Sequence, residues 1–398
     1  MKKSMEVKPK IETFARIKVM GIGGSGTTAV NRMTELGIRG VEFISVNTDA
    51  QALHNNQADK KVHIGKSITK GLGSGMNPEL GRQAAEESQE EIEEVISNAD
   101  MVFITCGLGG GTGTGAAPIV AELAKNRDIL TIAVVTKPFT FEGSKRKEIA
   151  EAGYENLKDK VDAIISIQND RILQIIDKKT SLIDAFTTVD EVLRQGIAGI
   201  SDLITTHGVV NADFADIRTI MQDAGTAMMG IGQASGENRA ELAAKAAVNS
   251  PLLDMTIDGA QGVLFNITGG PDLGMFEIDE AAKLITKNVD PDARVKFGTV
   301  IDESMGDQIR ITVIATGFDE HNRRPSSINF APIASDESVL KPVIPPTPPP
   351  VEADEPSRPE IRKPLFSPKP VDPVPMQQAE EPEDDELDIP AFIRKKMK

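Results

Sequence analysis

The sequence predicts an α/β protein: a Rossmann-like parallel sheet, then a long central helix, then an α+β domain and a disordered tail. Three observations carry this. Strand-length apolar runs alternate with helical periodicities through the first half of the chain. Two of the strand–helix joints are rich in glycine. A helical pattern from Ser181 to about Thr205 then separates this half from a region of alternating apolar strands.

Residues 1–14 read as a flexible extension. From there Ile17–Met20 is a strand, Gly21–Gly26 a glycine turn and Thr27–Met33 a helix. A turn of this kind at the carboxyl end of a strand lets backbone N–H groups approach an anion, and the helix that follows adds its positive end. The next strand, Glu42–Val46, runs into Asn47-Thr48-Asp49, where Asp49 stands roughly where a dinucleotide fold keeps its ribose-binding acid. An NAD-dependent oxidoreductase is therefore a reading to be weighed. A P-loop is not, because Gly65-Lys66-Ser67 is preceded at the required spacing by Lys60 instead of glycine. A glycine-rich loop, Gly71–Pro78, leads to an acidic helix over Glu79–Asn98 that turns Ile92, Val95 and Ile96 inward.

The strand Met101–Thr105 ends in a second glycine loop, Gly107–Gly115, with Ala116–Leu123 helical beyond it. Almost free of side-chain bulk, this loop suits phosphate, with Thr hydroxyls donating from the sides. It contains no group that could activate water. Strands over Ile129–Thr136 and Ala163–Ile167 follow, so repeated strand–loop–helix units predict a mostly parallel sheet covered on both faces. In the long helix, Leu182, Ile183, Phe186, Val189, Leu193, Ile197, Ile200 and Ile204 keep a helical spacing. Gly196 and Gly199 cost this helix roughly 1 kcal/mol each, so packing must hold it. Gly262–Thr268, Val295–Ile301 and Ile309–Thr316 alternate as strands around a helix near Ile278–Thr286.

Composition changes after Phe330: of the 24 prolines, 16 lie in residues 331–398, too little apolar surface for folding. At its end, Leu387–Ile393 is apolar between an acidic run and Arg394-Lys395-Lys396, which reads as a docking peptide. The chain of 398 residues carries 60 acidic against 44 basic residues, a formal charge of −16, which argues against nucleic acid as a main partner. No run approaches the length of a membrane span, and the charged start leads into no apolar segment, so no signal peptide is expected there. Cys106, the single cysteine, fits a reducing compartment and structural burial, and the four histidines form no catalytic pattern around it. A cytoplasmic protein is expected.

These segments resemble those of the tubulin/FtsZ family of GTPases. The resemblance is carried by Gly109–Gly115, Asn47–Leu53, Pro138–Gly143, Asn169-Asp170-Arg171, Asp213-Phe214-Ala215-Asp216, Met229–Gly232 and Asp388–Phe392, in the family's order. It implies a GTP-binding domain over 15–180, a central helix and connection over 181–210, a C-terminal domain over 211–318, a linker over 319–386 and a partner-binding peptide over 387–398. It further implies that Gly23, Gly24, Gly107, Gly109, Gly110, Gly111, Thr112 and Gly113 hold the phosphates of GTP or GDP, with Mg²⁺ carried on the nucleotide and no protein metal site. Ser25, Thr27, Thr28 and Asn47 line the same region; Glu142 and Arg146 lie by the ribose and phosphates; Asn169, Phe186 and Asp190 recognise guanine. Ser25, Thr27, Thr28, Ser144 and Gln168 depart from the family's usual residues, so altered affinity is expected, with hydroxyls still able to donate to phosphate.

Asp213 and Asp216, with Asn211, would act on the nucleotide of a neighbouring subunit, because a helix of some 24 residues spans roughly 35 Å and sets them at the far end. The competing view is that these acids cap the next helix. The resemblance also implies head-to-tail filaments of the bacterial division ring at midcell. Membrane-attached adaptors would be held through Asp388, Ile389, Pro390, Phe392 and Ile393, without insertion of the chain itself. A non-hydrolysing scaffold is the third alternative.

Overall fold

The computed structural model describes residues 15–318 apart from Arg39, Lys178, residues 207–209, Asn211, residues 254–255 and Asn288. The expected extension (1–14), linker (319–386) and terminal peptide (387–398) lie outside the described residues.

Six parallel strands come first: β1 (Ile17–Ile22), β2 (Val41–Asn47), β3 (Lys60–His63), β4 (Met101–Gly107), β5 (Leu130–Lys137) and β6 (Ala163–Gln168). Four more follow: β7 (Gly225–Ser235), β8 (Gly262–Gly269), β9 (Arg294–Ile301) and β10 (Gln308–Thr316). All ten form one sheet in the order β3-β2-β1-β4-β5-β6-β7-β10-β8-β9. The join is narrow: β6 meets β7 through three ladder pairs, Ala163 with Gly225 to Ile165 with Ala227. Beyond it β10 runs antiparallel to both β7 and β8, and β9 lies parallel to β8 at the edge.

The helices are α1 (Gly23–Leu36), α2 (Ala50–His54), α3 (Lys66–Thr69), α4 (Pro78–Glu87), α5 (Gln89–Ile96), α6 (Thr112–Lys125), α7 (Ser144–Lys158), α8 (Asn169–Ile172), α9 (Leu182–Thr205), α10 (Phe214–Met221), α11 (Arg239–Val248) and α12 (Met275–Thr286). β1 and β4 are buried along nearly their whole length, which is why they read as continuous apolar runs. One core lies between the sheet and α1 and α9; a second lies on the opposite face, beneath α4 to α7. A third fills the space between the C-terminal strands and α11 and α12.

The long helix forms as expected. Ser181 caps it by accepting from the Asp184 N–H at 3.1 Å. Its two glycines are contact points: a Cβ added at Gly196 would lie 2.7 Å from the Met229 sulfur, and one at Gly199 would lie 2.8 Å from Thr312 Cγ2. Close approach to β7 and β10 thus offsets the lost propensity. The helix runs against the strand direction. Asp190, near its start, pairs with Arg32 of α1, while Thr205 at its end sits against Gly40, just ahead of β2.

The expected single acidic helix is two helices, α4 and α5, broken at Ser88 (φ −109°, ψ 24°). Ser88 Oγ accepts from the Gly65 N–H at 3.3 Å, an attachment that straight continuation would not reach. Ile92 and Ile96 are buried as expected, and Val95 only partly. Helix α6 begins at Thr112, so the second half of the glycine loop is already helical. β3, β7 as a full strand, and α11 were not anticipated. In β7 the apolar alternation is interrupted by Gly230 and Gly232, where an added Cβ would come within 2.0 Å of the Ala247 and Ala243 carbonyl oxygens of α11.

Candidate functional site

β1 and β4 are parallel neighbours, so their glycine loops end side by side, and α1 and α6 start together. The loops interlock through backbone. Gly23 has φ +73°, and a Cβ there would lie 2.7 Å from the Gly113 nitrogen; Gly109 has φ +94°, and a Cβ there would lie 2.7 Å from the Arg146 carbonyl oxygen. At Gly111 the clash would be with Ser74 Oγ at 2.3 Å. Gly24 has nothing within 4 Å, and at Gly110 the nearest atom is Gly107 O at 3.9 Å. The cradle is tight against the protein and open on one side.

Neither α1 nor α6 has a side-chain cap or an acidic residue in its first turn, so the N–H groups of both starts are left for an outside acceptor. Ser25 Oγ lies over Gly107, where a Cβ would meet it at 2.1 Å. The Thr27 hydroxyl donates to Gly23 O at 2.9 Å and Thr28 to Gly24 O at 3.0 Å, so both protons are held within α1. Thr112 Oγ1 is shared with Thr48 at 2.7 Å and Ser74 at 2.9 Å, which fastens the cradle to the loops after β2 and α3. Asn47, also buried, turns the chain there by accepting from the Thr48 N–H at 2.8 Å. Gly109 is fixed by its N–H donating to Thr114 Oγ1 at 2.9 Å.

Next to the cradle, Ser25, Thr136, Pro138, Glu142, Arg146, Asn169, Phe186 and Asp190 wall a cleft. Glu142 accepts from the Phe139 N–H at 2.8 Å and pairs with Arg146 at 3.0 Å. Phe186, 40% exposed, is braced edge-on by Phe139, which stacks on Phe141. Its open face suits a planar ring. Two polar atoms of the cleft wall, Asn169 Oδ1 and Arg146 Nε, are buried without a partner. Such atoms are costly unless a ligand meets them. Burial pushes the Asp190 carboxyl up to about 6, and Arg32 at 3.1 Å offsets only part of that. An ionised carboxylate here accepts from the N1–H and exocyclic amine of guanine, a pair of donors that adenine lacks.

Cys106 is fully buried, and burial pushes its thiol up to about 12, which leaves it unreactive. Asp49 gives its carboxylate to the Gln51 and Ala52 N–H groups at the start of α2, so it is committed to capping.

Asp213 and Asp216 lie elsewhere. Asp213 occupies the N-cap position of α10, yet its side chain makes no capping bond, contrary to the capping view. Asp216 pairs with Lys296 of β9 at 2.9 Å. Arg218, two residues along, binds Asp128 at 2.6 Å, and Asp128 lies two residues before the start of β5. The acids thus sit at the amino ends of the parallel strands and the cradle at the carboxyl ends. The eight residues of β5 separate the two by about 26 Å. Asn211 lies outside the described residues, as do Asp388, Ile389, Pro390, Phe392 and Ile393. Sequence reasoning missed Arg32, Ser74 and Lys296, whose partners are distant in the chain; for the last, the lone cation within the apolar stretch Val295–Ile301 is the one signal that could have singled it out.

A backbone cradle, a guanine-compatible cleft and a sheet that continues into a second α/β half define a tubulin-like nucleotide-binding protein. Residues 16–177 match the Tubulin/FtsZ family GTPase domain, and residues 225–319 match the FtsZ family C-terminal domain. The chain is 46% identical to an FtsZ from M. jannaschii solved as an empty dimer, over 77% of this chain and 89% of that one, with a TM-score of 0.74. CetZ1 from Haloferax volcanii, solved as a GDP-bound monomer, shares the fold at 22% identity, over 77% of this chain and 95% of that one, with a TM-score of 0.67. CetZ2 from the same organism, solved as a GTPγS-bound protofilament, does so at 22% identity, over 75% and 92%, with a TM-score of 0.64. The chain belongs to the tubulin/FtsZ family, on its FtsZ branch, and is a GTPase. This membership overturns the dinucleotide oxidoreductase reading, which had rested on Asp49 and the first glycine loop.

Proposed function

We propose that this GTPase polymerises head to tail and hydrolyses GTP at the contact between subunits, as the cytoplasmic filament of the bacterial cell-division ring. The observation that supports this most is the separation of Asp213 and Asp216 from their own cradle: the carboxylates a subunit has in its own cleft, Glu142 and Asp190, are paired with Arg146 and Arg32. Stacking one subunit on the next brings the acid end of one to the cradle of the other. Heterologous contacts of this kind do not close, so they build filaments. The dimeric FtsZ and the CetZ2 protofilament support self-association of this fold.

In the shared site, Gly24, Gly110 and the N–H groups at the starts of α1 and α6 hold the phosphates, while Phe186, Asn169 and Asp190 hold the base. Asp213 of the adjoining subunit orients water in line with the γ-phosphate. Mg²⁺ carried by the triphosphate would shield its charge. The terminal segment Asp388–Ile393 would tether the filament to membrane-attached adaptors, each contact weak and the polymer multiplying it.

The test is kinetic. GTP turnover per subunit is expected to rise steeply with protein concentration, in parallel with light scattering after GTP is added and not after GDP. Turnover per subunit that stays flat over a hundredfold dilution would remove the shared site.

A further inference from the structure

We propose that Lys296 is a positioning residue for hydrolysis: its ammonium, seated on Asp216, presents that carboxylate to the triphosphate of the adjoining subunit and compensates the repulsion between them. The inference rests on the shared-site reading and adds to it a cation that the acid segment itself does not supply.

The geometry begins with the pleat of β9. Residues 294, 296 and 298 share one face of this edge strand, and that face looks at the end of α9 and at α10. Arg294 Nη1 donates to Thr219 O at 3.3 Å. A Cβ on Gly298 would lie 2.3 Å from Leu203 Cδ2 and 3.1 Å from Val210 O. Between them Lys296 reaches Asp216 Oδ2 at 2.9 Å. Among the described residues this is the only bond to the Asp216 carboxylate, so its second oxygen is left for an incoming group.

The segment carrying the acids does not need Lys296 as glue. Val210 and Thr299 exchange two bonds, Thr299 N to Val210 O at 3.0 Å and Val210 N to Thr299 Oγ1 at 3.2 Å. Thr316 Oγ1 donates to Ile220 O at 3.3 Å, and Arg218 holds Asp128. Together with Arg294, these fasten α10 along its length. An ion pair with both partners this exposed, 46% for Lys296 and 35% for Asp216, adds little to folding.

What the pair does contribute is positive charge where carboxylates must approach a polyanion. Asp213 and Asp216 approach a triphosphate, and like charges brought together out of water repel strongly. The other cations nearby are committed, Arg218 to Asp128 and Arg294 to Thr219 O. Lys296 meets the phosphates from the acid side and fixes which carboxylate oxygen faces them.

The experiment compares the full chain with Lys296→Met and Lys296→Arg. It measures GTP affinity at concentrations too dilute for assembly, the amount pelleted with a non-hydrolysable GTP analogue, and turnover per pelleted subunit at saturating GTP. Lys296→Met is expected to bind GTP as the natural chain does, since its own cradle is at the opposite end. It should turn over about ten- to a hundredfold more slowly per polymerised subunit, and Lys296→Arg should restore most of the rate. Natural turnover per polymerised subunit in Lys296→Met overturns the proposal. So does a loss that Arg fails to restore and that follows a lowered thermal midpoint, which is what a structural strut would give. Failure of the shared site reads differently: turnover of the natural chain would then not depend on its concentration at all.

Discussion

Replacement of Asp213 by Ala is expected to leave GTP binding intact and to reduce turnover by about three orders of magnitude, the scale of a lost group that orients or activates water. Binding survives because the cradle and cleft lie at the other end of α9. Stability changes little because the Asp213 side chain caps nothing. A mixing experiment sharpens this result. Gly109→Ala, whose Cβ would lie 2.7 Å from the Arg146 carbonyl oxygen at a φ of +94°, should lose nucleotide while keeping its acids. Each variant alone is then inactive. Mixed, some contacts pair the intact cradle of the Asp213→Ala chain with the intact acids of the Gly109→Ala chain, and activity returns. A mixture as inactive as its components would show that each subunit hydrolyses on its own.

The second large effect is on pH and concerns the base. The Asp190 carboxyl sits at about 6, raised mainly by burial. The sign follows from which state keeps the proton. From the ordinary carboxylate range up to about pH 6 the folded subunit holds a proton that the unfolded chain has released, so raising the pH through this window destabilises the empty protein. Guanine reverses the preference, because only the ionised carboxylate accepts from both of its donors. GTP affinity should therefore be constant above pH 7 and fall about tenfold per unit below 6. Titration with a fluorescent GTP analogue from pH 5 to 8 measures it. Asp190→Asn should bind about a hundredfold more weakly and lose the pH slope; a slope unchanged in Asn would assign the titration to another group.

The central strands β1, β4, β5 and β6 were legible because parallel strands covered on both faces must be apolar throughout. β3, Lys60-Lys61-Val62-His63, was not, since the sheet edge asks for one buried side chain and tolerates charge elsewhere. β7 was seen only as a short family segment because Gly230 and Gly232, needed for α11 to pack on its backbone, interrupt the apolar pattern. The two glycine loops announced an anion cradle on their own. The guanine cleft did not: Asn169, Phe186 and Asp190 come from two segments brought together by folding, and resemblance alone placed them together. Thr27, Thr28 and Asn47 were read as lining the nucleotide, and in the structure their polar groups are given to the chain around them. The length of α9 correctly set the acids apart from the cradle. The Lys296–Asp216 pair joins residues 80 positions apart, for which no local spacing exists.

The placement of cradle and acids at opposite ends of α9 also fixes a count. In the shared-site reading, a filament of n subunits has n − 1 complete sites, so one terminal subunit always keeps its nucleotide uncut while the other end exposes acids with nothing to act on. The two tips are chemically unlike before any accessory factor arrives. Turnover per subunit then becomes a measure of mean length, half its limiting value in a dimer and approaching the limit in long polymers. A population of short filaments conserves GTP, and elongation itself raises consumption.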